Sequence, residues 1–125
     1  MHILLADDEV RVRSALQMLL KEEPGMKVVA EVAEAEALLT QIRATRPDLV
    51  LLDWGLPGLN AVGSLPALRL VCPQLTVMVI SGRPEAGREA LAVGADAFVS
   101  KVDPPEHLLA ALHTFARRIN GMSSP

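Results

Sequence analysis

Five groups able to do chemistry stand at equivalent places in this chain, each just after a short apolar run. Asp7 and Asp8 follow Ile3-Leu-Leu-Ala6, and Asp53 closes Leu49-Val-Leu-Leu-Asp53. Ser81 follows Leu75-Thr-Val-Met-Val-Ile80, and Lys101 follows Ala95-Asp-Ala-Phe-Val-Ser100. Three carboxylates brought into one pocket repel each other and resist joint ionisation unless a cation joins them. A hard divalent ion, Mg²⁺ above all, accepts carboxylates together with phosphate oxygens and water. Lys101 adds a fixed positive charge and Ser81 a hydroxyl donor. Phosphoryl transfer asks for little more than an in-line nucleophile and stabilised oxygens, and aspartate is an established phosphoryl acceptor. Asp53 is therefore the candidate nucleophile, held beside a metal cage, a cation and a donor.

Such a pocket requires elements that deliver distant residues to one edge. Pro47 to Asp53 is bounded by turn signals and too short for a buried helix, so it reads as a strand buried on both faces. From Val10 the period becomes helical, with Val10, Leu16, Leu19 and Leu20 on one face, and Pro24-Gly25 ends that helix. Met26–Val32 reads as the second strand, 33–46 as a helix, and Leu65–Leu70 as a short helix ended by Cys72-Pro73. Leu75–Ile80 is the most β-like run. A weak helix with Gly87 inside it follows to Val93, then a strand Ala95–Ser100 and a last helix Glu106–Ile119. Residues 120–125 are expected to be a tail. Five strands alternating with helices imply an α/β fold with right-handed βαβ units, a doubly wound five-stranded parallel sheet with helices on both faces. The carboxyl ends of its strands share one edge, where open α/β sheets place their ligands.

Composition bounds the rest. The 125 residues make one domain, half apolar, with only Trp54, Phe98 and Phe115 as aromatics, so the core is aliphatic. A net charge of −3 without a basic cluster argues against nucleic-acid contact by this domain. The single Cys72 cannot form an internal disulfide, which suits a cytoplasmic protein. Met1-His2 runs directly into strand-like sequence without a signal peptide, and no apolar run approaches a membrane span. His2, His107 and His113 share no ligand spacing and offer no zinc site.

The set of residues resembles the receiver domain of two-component response regulators over essentially the whole chain. The acidic pair after strand one is matched by Asp7 and Asp8. The segment from Asp53 to Ala61 (Asp-Trp-Gly-Leu-Pro-Gly-Leu-Asn-Ala) is similar to the family's D-x-x-M-P-x-M-D-G. Ser81 with small Gly82 matches the end of strand four, Lys101 the lysine that ends strand five, and Phe98 the switch aromatic three residues earlier. The resemblance implies strand order 2-1-3-4-5 and Asp53 as phosphoacceptor. It implies Mg²⁺, or Mn²⁺ in its place, held by Asp8, Asp53 and the Gly55 carbonyl, with Asp7 acting through water. Ser81, Gly82 and Lys101 would bind the phosphoryl group, and Ser81 and Phe98 would form the switch. Gly55 and Arg83, two residues beyond Asp53 and Ser81, would tune dephosphorylation. The implied partner is a sensor histidine kinase. A homodimer would form through the fourth helix, fifth strand and fifth helix, or through helices one and five. Residues 1–119 would be the receiver, and 120–125 a flexible tail or the start of a linker to an output domain.

Departures from the family pattern are confined to a few positions. Val102 follows the lysine where receivers commonly carry a cis-proline. Ala61 replaces a usual glycine, and Gly63 and Pro66 stand where helix formers are usual, so the third helix is expected to be short, late or irregular. Phe98 lacks the hydroxyl of the commoner tyrosine. Each residue also has a plainer reading: Asp7 and Asp8 as helix-start residues, Glu9 likewise, Ser81 as a turn residue, Phe98 as a core aromatic and Trp54 as a half-exposed neighbour of the site. Two other functions compete with the switch. One is a receiver fold acting as an interaction module without phosphorylation. The other is an aspartyl-phosphate phosphatase of the haloacid dehalogenase type, which the absence of a D-x-D nucleophile motif and of a cap domain disfavours.

Overall fold

The computed structural model describes residues 1–60 and 63–123. Its elements are β1 (His2–Ala6), α1 (Val10–Lys21), β2 (Lys27–Val32), α2 (Ala35–Thr45), β3 (Leu49–Asp53), α3 (Ser64–Val71), β4 (Thr76–Ser81), α4 (Ala86–Ala92), β5 (Ala97–Ser100) and α5 (Pro105–Ser123). The strands form one parallel sheet in the order β2-β1-β3-β4-β5.

Alternation along the strands builds two cores. Leu4, Val50, Leu52, Val77 and Val79 point to one face, packed with Leu38, Ile42, Leu65 and Leu68 from α2 and α3 and with Ala86 and Ala90 from α4. Ile3, Leu5, Leu49, Leu51, Met78 and Ile80 point to the other, packed with Leu16 and Leu20 from α1 and Leu108 and Leu112 from α5. Burial on both faces explains why β3 and most of β4 are continuous apolar runs rather than alternating ones.

The third helix is short, eight residues, as its composition predicts. Pro66 is its third residue, where the backbone N–H has no partner within the helix in any case, so the proline costs no hydrogen bond. Ala61 lies outside the described residues. The Lys101–Val102 peptide is trans, and no cis peptide occurs among the described residues.

Two expectations need correction. The last helix runs past Ile119 to Ser123, so Asn120–Ser123 continue it instead of beginning a tail. A glycine in the final turn weakens a helix by only about 1 kcal/mol and does not stop it. Trp54 is not half-exposed: it is 7% exposed and belongs to the core on the α2–α3–α4 side. In a chain with three aromatics its ring supplies apolar volume beneath the loop that follows β3. Other boundaries differ by one or two residues: β2 starts at Lys27, α2 spans Ala35–Thr45, and β5 starts at Ala97.

Candidate functional site

The chain leaves β1 toward β2 on one side and passes to β3 on the other, so a crevice opens at the carboxyl ends of β1 and β3. Ala6 pairs with Leu52, Asp53 with Ile80, and Ser81 with Ser100. This register sets Asp7 and Asp8, Asp53, Ser81 and Lys101 along a single edge. Carboxylate oxygens of Asp7, Asp8 and Asp53 lie within 4.8 Å of one another.

Asp7 and Asp8 divide the work. Asp7 is 1% exposed; its Oδ1 accepts the Glu9 backbone N–H at 2.8 Å, shaping the entry to α1. Its Oδ2 is buried and lies 2.7 Å from the Lys101 ammonium. Asp8 is exposed. Asp53 is buried, and its Oδ1 accepts the Gly55 N–H at 3.1 Å. A Cβ at Gly55 would stand 3.7 and 3.9 Å from the two Asp53 oxygens, so any side chain there begins in contact with the carboxylate.

Lys101 Nζ ties the cluster together, 2.7 Å from Asp7, 3.1 Å from Glu9 and 3.5 Å from Asp53. Burial alone would lower its pKa, but hydrogen bonds to Asp7 and Glu9 and the charges of Asp53 and Asp7 outweigh that and raise it, so the ammonium stays charged. The Asp53 pKa is also raised. Burial is the largest cause; the Gly55 N–H opposes it, the Asp7 charge adds to it, and Lys101 opposes it.

This donor set fits a hard cation. Three clustered carboxylates and the neighbouring Glu9 share one ammonium, so the negative charge exceeds what the protein compensates. Ser81 is buried at the rim, with Oγ accepting the Arg83 backbone N–H at 3.1 Å. A Cβ at Gly82 would meet nothing within 4 Å. The Arg83 guanidinium faces Glu85 at 3.8 Å, an exposed pair outside the cluster. Phe98 lies on β5 opposite Val79, half-buried against the α2–α3–α4 core.

Sequence reasoning passed over two participants. Glu9 is the N-cap residue of α1 but makes no side-chain cap; its carboxylate instead holds Lys101. The run Asp7-Asp8-Glu9 carried that signal, since three acids at a strand end exceed what a helix start needs. Arg13, one turn into α1, donates to the Asp7 carbonyl and pairs with Glu31 of β2 at 3.2 Å, bracing the acidic loop. No local pattern distinguishes it from a solvated arginine. His113 pairs with Glu23 at 2.7 Å, and His107 lies 3.5 Å from Asp103, so neither belongs to the site.

Residues 3–113 match the family model described as the response regulator receiver domain. The chain is 35% identical over 116 residues to the nitrate/nitrite response regulator protein NarL of Escherichia coli K12, covering 91% of this chain and 54% of that protein. It is 37% identical over 114 residues to the transcriptional activator protein ExaE of Pseudomonas putida, covering 90% and 53%. It thus spans about half the length of these relatives. A two-component response regulator of the LuxR family from an Aurantimonas species superposes with TM-score 0.83 at 29% identity, covering 92% of this chain and 84% of that one.

Proposed function

The chain belongs to the response regulator receiver family, and from that premise we propose that it is a phosphoacceptor switch. Asp53 takes a phosphoryl group from the phosphohistidine of a sensor histidine kinase or from a small phosphodonor. An Asp53 oxygen attacks phosphorus in line, the bond from phosphorus to the donor nitrogen or oxygen breaks, and the donor leaves with its electron pair. The observation that carries this reading is the Lys101 ammonium, 2.7 Å from Asp7 and 3.5 Å from Asp53, at the one sheet edge where three carboxylates converge.

Asp8, Asp53 and the Gly55 carbonyl would hold Mg²⁺, or Mn²⁺, with Asp7 contributing through water. When bound, the ion offsets the carboxylate repulsion and neutralises phosphoryl oxygens. Exposed Asp8 and the crowded Asp7, whose two oxygens already serve the Glu9 N–H and Lys101, support that division. Lys101 keeps its proton and moves from the carboxylates to the new phosphoryl oxygens. Ser81 leaves the Arg83 N–H to donate its hydroxyl to the same group, and the Gly82 backbone approaches it without hindrance. These charge-assisted bonds bias the chain between two states, Phe98 reporting which one is occupied. Gly55 leaves room beside Asp53 for the water that later hydrolyses the acyl phosphate. Arg83, paired here with Glu85, tunes that step only after leaving its partner.

The switched surface comprises α4, β5 and α5, and dimerisation uses this face or helices α1 and α5. Half-length coverage of NarL and ExaE supports a receiver that forms one part of a longer transcriptional regulator. The domain is a non-enzymatic, cytoplasmic signalling module that contacts neither DNA nor membrane. Among the described residues no helix is long and apolar enough to cross a membrane.

The test is direct. Acetyl phosphate with Mg²⁺ adds one phosphoryl mass to the wild type, beryllofluoride with Mg²⁺ changes Trp54 fluorescence, and Asp53→Asn abolishes the mass change. A wild type that binds Mg²⁺ yet gains no mass is instead an interaction module that works without phosphorylation.

A further inference from the structure

Gly87 is the second residue of the seven-residue helix α4, and its backbone is not in the left-handed region that favours glycine. Alanine would serve the helix better, so conformational freedom does not account for it. Space does. A Cβ at position 87 would stand 2.7 Å from Phe98 Cδ1 and 3.0 Å from both Cγ and Cε1. These are atoms of a ring anchored on β5, so relief requires the ring or the helix to shift. The flanking Ala86 and Ala90 are fully buried, and α4 therefore offers the ring a shelf without side chains beyond Cβ.

We propose that Gly87 is the seat of the Phe98 ring in the unphosphorylated chain, a positioning residue that sets how readily the switch leaves its resting state. The proposal rests on the phosphoacceptor reading above and adds the element that reading lacks. Phe98 has no hydroxyl through which to report, so its resting state is defined by packing alone, and the packing partner is the missing side chain of residue 87. Occupying the seat raises the free energy of the resting state and leaves the phosphorylated one untouched.

The experiment is titration of beryllofluoride in saturating Mg²⁺, read by Trp54 fluorescence, on wild type, Gly87→Ala, Phe98→Ala and the double variant. Gly87→Ala should bind beryllofluoride at least about fivefold more tightly than wild type, the lower end of ordinary coupling between sites. In the Phe98→Ala background the same substitution should have no effect. Equal or weaker binding by a folded Gly87→Ala, or a shift that persists without the ring, overturns the seat. A second measurement needs no variant: the Gly87 α-protons lie against the ring, and their NMR ring-current shift should collapse when beryllofluoride is added. Retention of that shift in a saturated wild type overturns the proposal even if Gly87→Ala fails to fold. A wild type that binds no beryllofluoride overturns the phosphoacceptor reading and the seat with it.

Discussion

Replacing Lys101 by methionine removes the one cation that, among the described residues, pairs with the carboxylates of Asp7, Glu9 and Asp53, while keeping most of the apolar stem. The cost can be worked from what each carboxylate is left with. Asp7 Oδ1 keeps the Glu9 N–H, but the buried Oδ2 loses the Lys101 ammonium, its one charged partner among the described residues. Breaking a buried ion pair from one side typically costs about 3–5 kcal/mol. Here the loss should be smaller, because Lys101 keeps some solvent contact and the exposed Glu9 pair adds well under 1 kcal/mol. Asp53, at 3.5 Å, adds to the loss because its already raised pKa rises further once Lys101 no longer opposes burial. The balance is about 2–3 kcal/mol in metal-free buffer, roughly a 10 °C fall in Tm for a domain of this size. Mg²⁺ should reverse much of it. If the ion recovers half of the loss, its binding tightens about tenfold. Urea unfolding followed by Trp54 emission, in EDTA and in saturating Mg²⁺, measures both quantities. Metal-free stability within about 0.5 kcal/mol of wild type would refute the ledger of charges. So would equal stabilisation of both proteins by Mg²⁺.

Two further outcomes follow from the same geometry. Asp53 has a folded-state pKa above its ordinary 3.8, so the folded chain holds that proton more tightly than the unfolded chain, and stability falls as pH rises through the raised value. Asp53→Asn keeps an acceptor for the Gly55 N–H and lacks that fall. In metal-free buffer it should be more stable than wild type at pH 7, the difference shrinking toward pH 4; a difference constant across that range contradicts the assignment. Arg69 acts at the opposite sheet edge, donating to the carbonyls of Leu75 (3.1 Å) and Gly94 (2.6 Å) and pairing with Asp96 (3.1 Å), which also accepts the Val77 N–H. With both side chains about a third exposed, Arg69→Ala should cost about 1–2 kcal/mol in urea unfolding. Phosphorylation of Asp53 should be unaffected, and a loss of phosphoryl uptake in the folded variant would disprove that separation.

How much of this was legible in the sequence follows from which interactions are periodic. A strand buried on both faces must be apolar throughout, so a carboxylate at the end of Leu49–Asp53 announces itself, and parallel topology then carries Asp7, Asp8, Ser81 and Lys101 to the same edge without any knowledge of side chains. Contacts between a helix and something outside its own period leave no such trace. Trp54 is adjacent to a polar site in sequence, yet its ring turns into the core on the α2–α3–α4 side. Glu9 has the composition of a helix start, and only the path of Lys101 from β5 reveals that its carboxylate is employed elsewhere. Gly87 reads along the chain as a defect that weakens α4. Across the chain it is the condition for Phe98 to lie where it does, because a Cβ there would come within 2.7 Å of the ring. The acceptor chemistry depends on strand ends, which period and topology dictate. The outward signal depends on which small residue of a helix meets which ring of a strand, and that pairing is specified only once the two elements are packed.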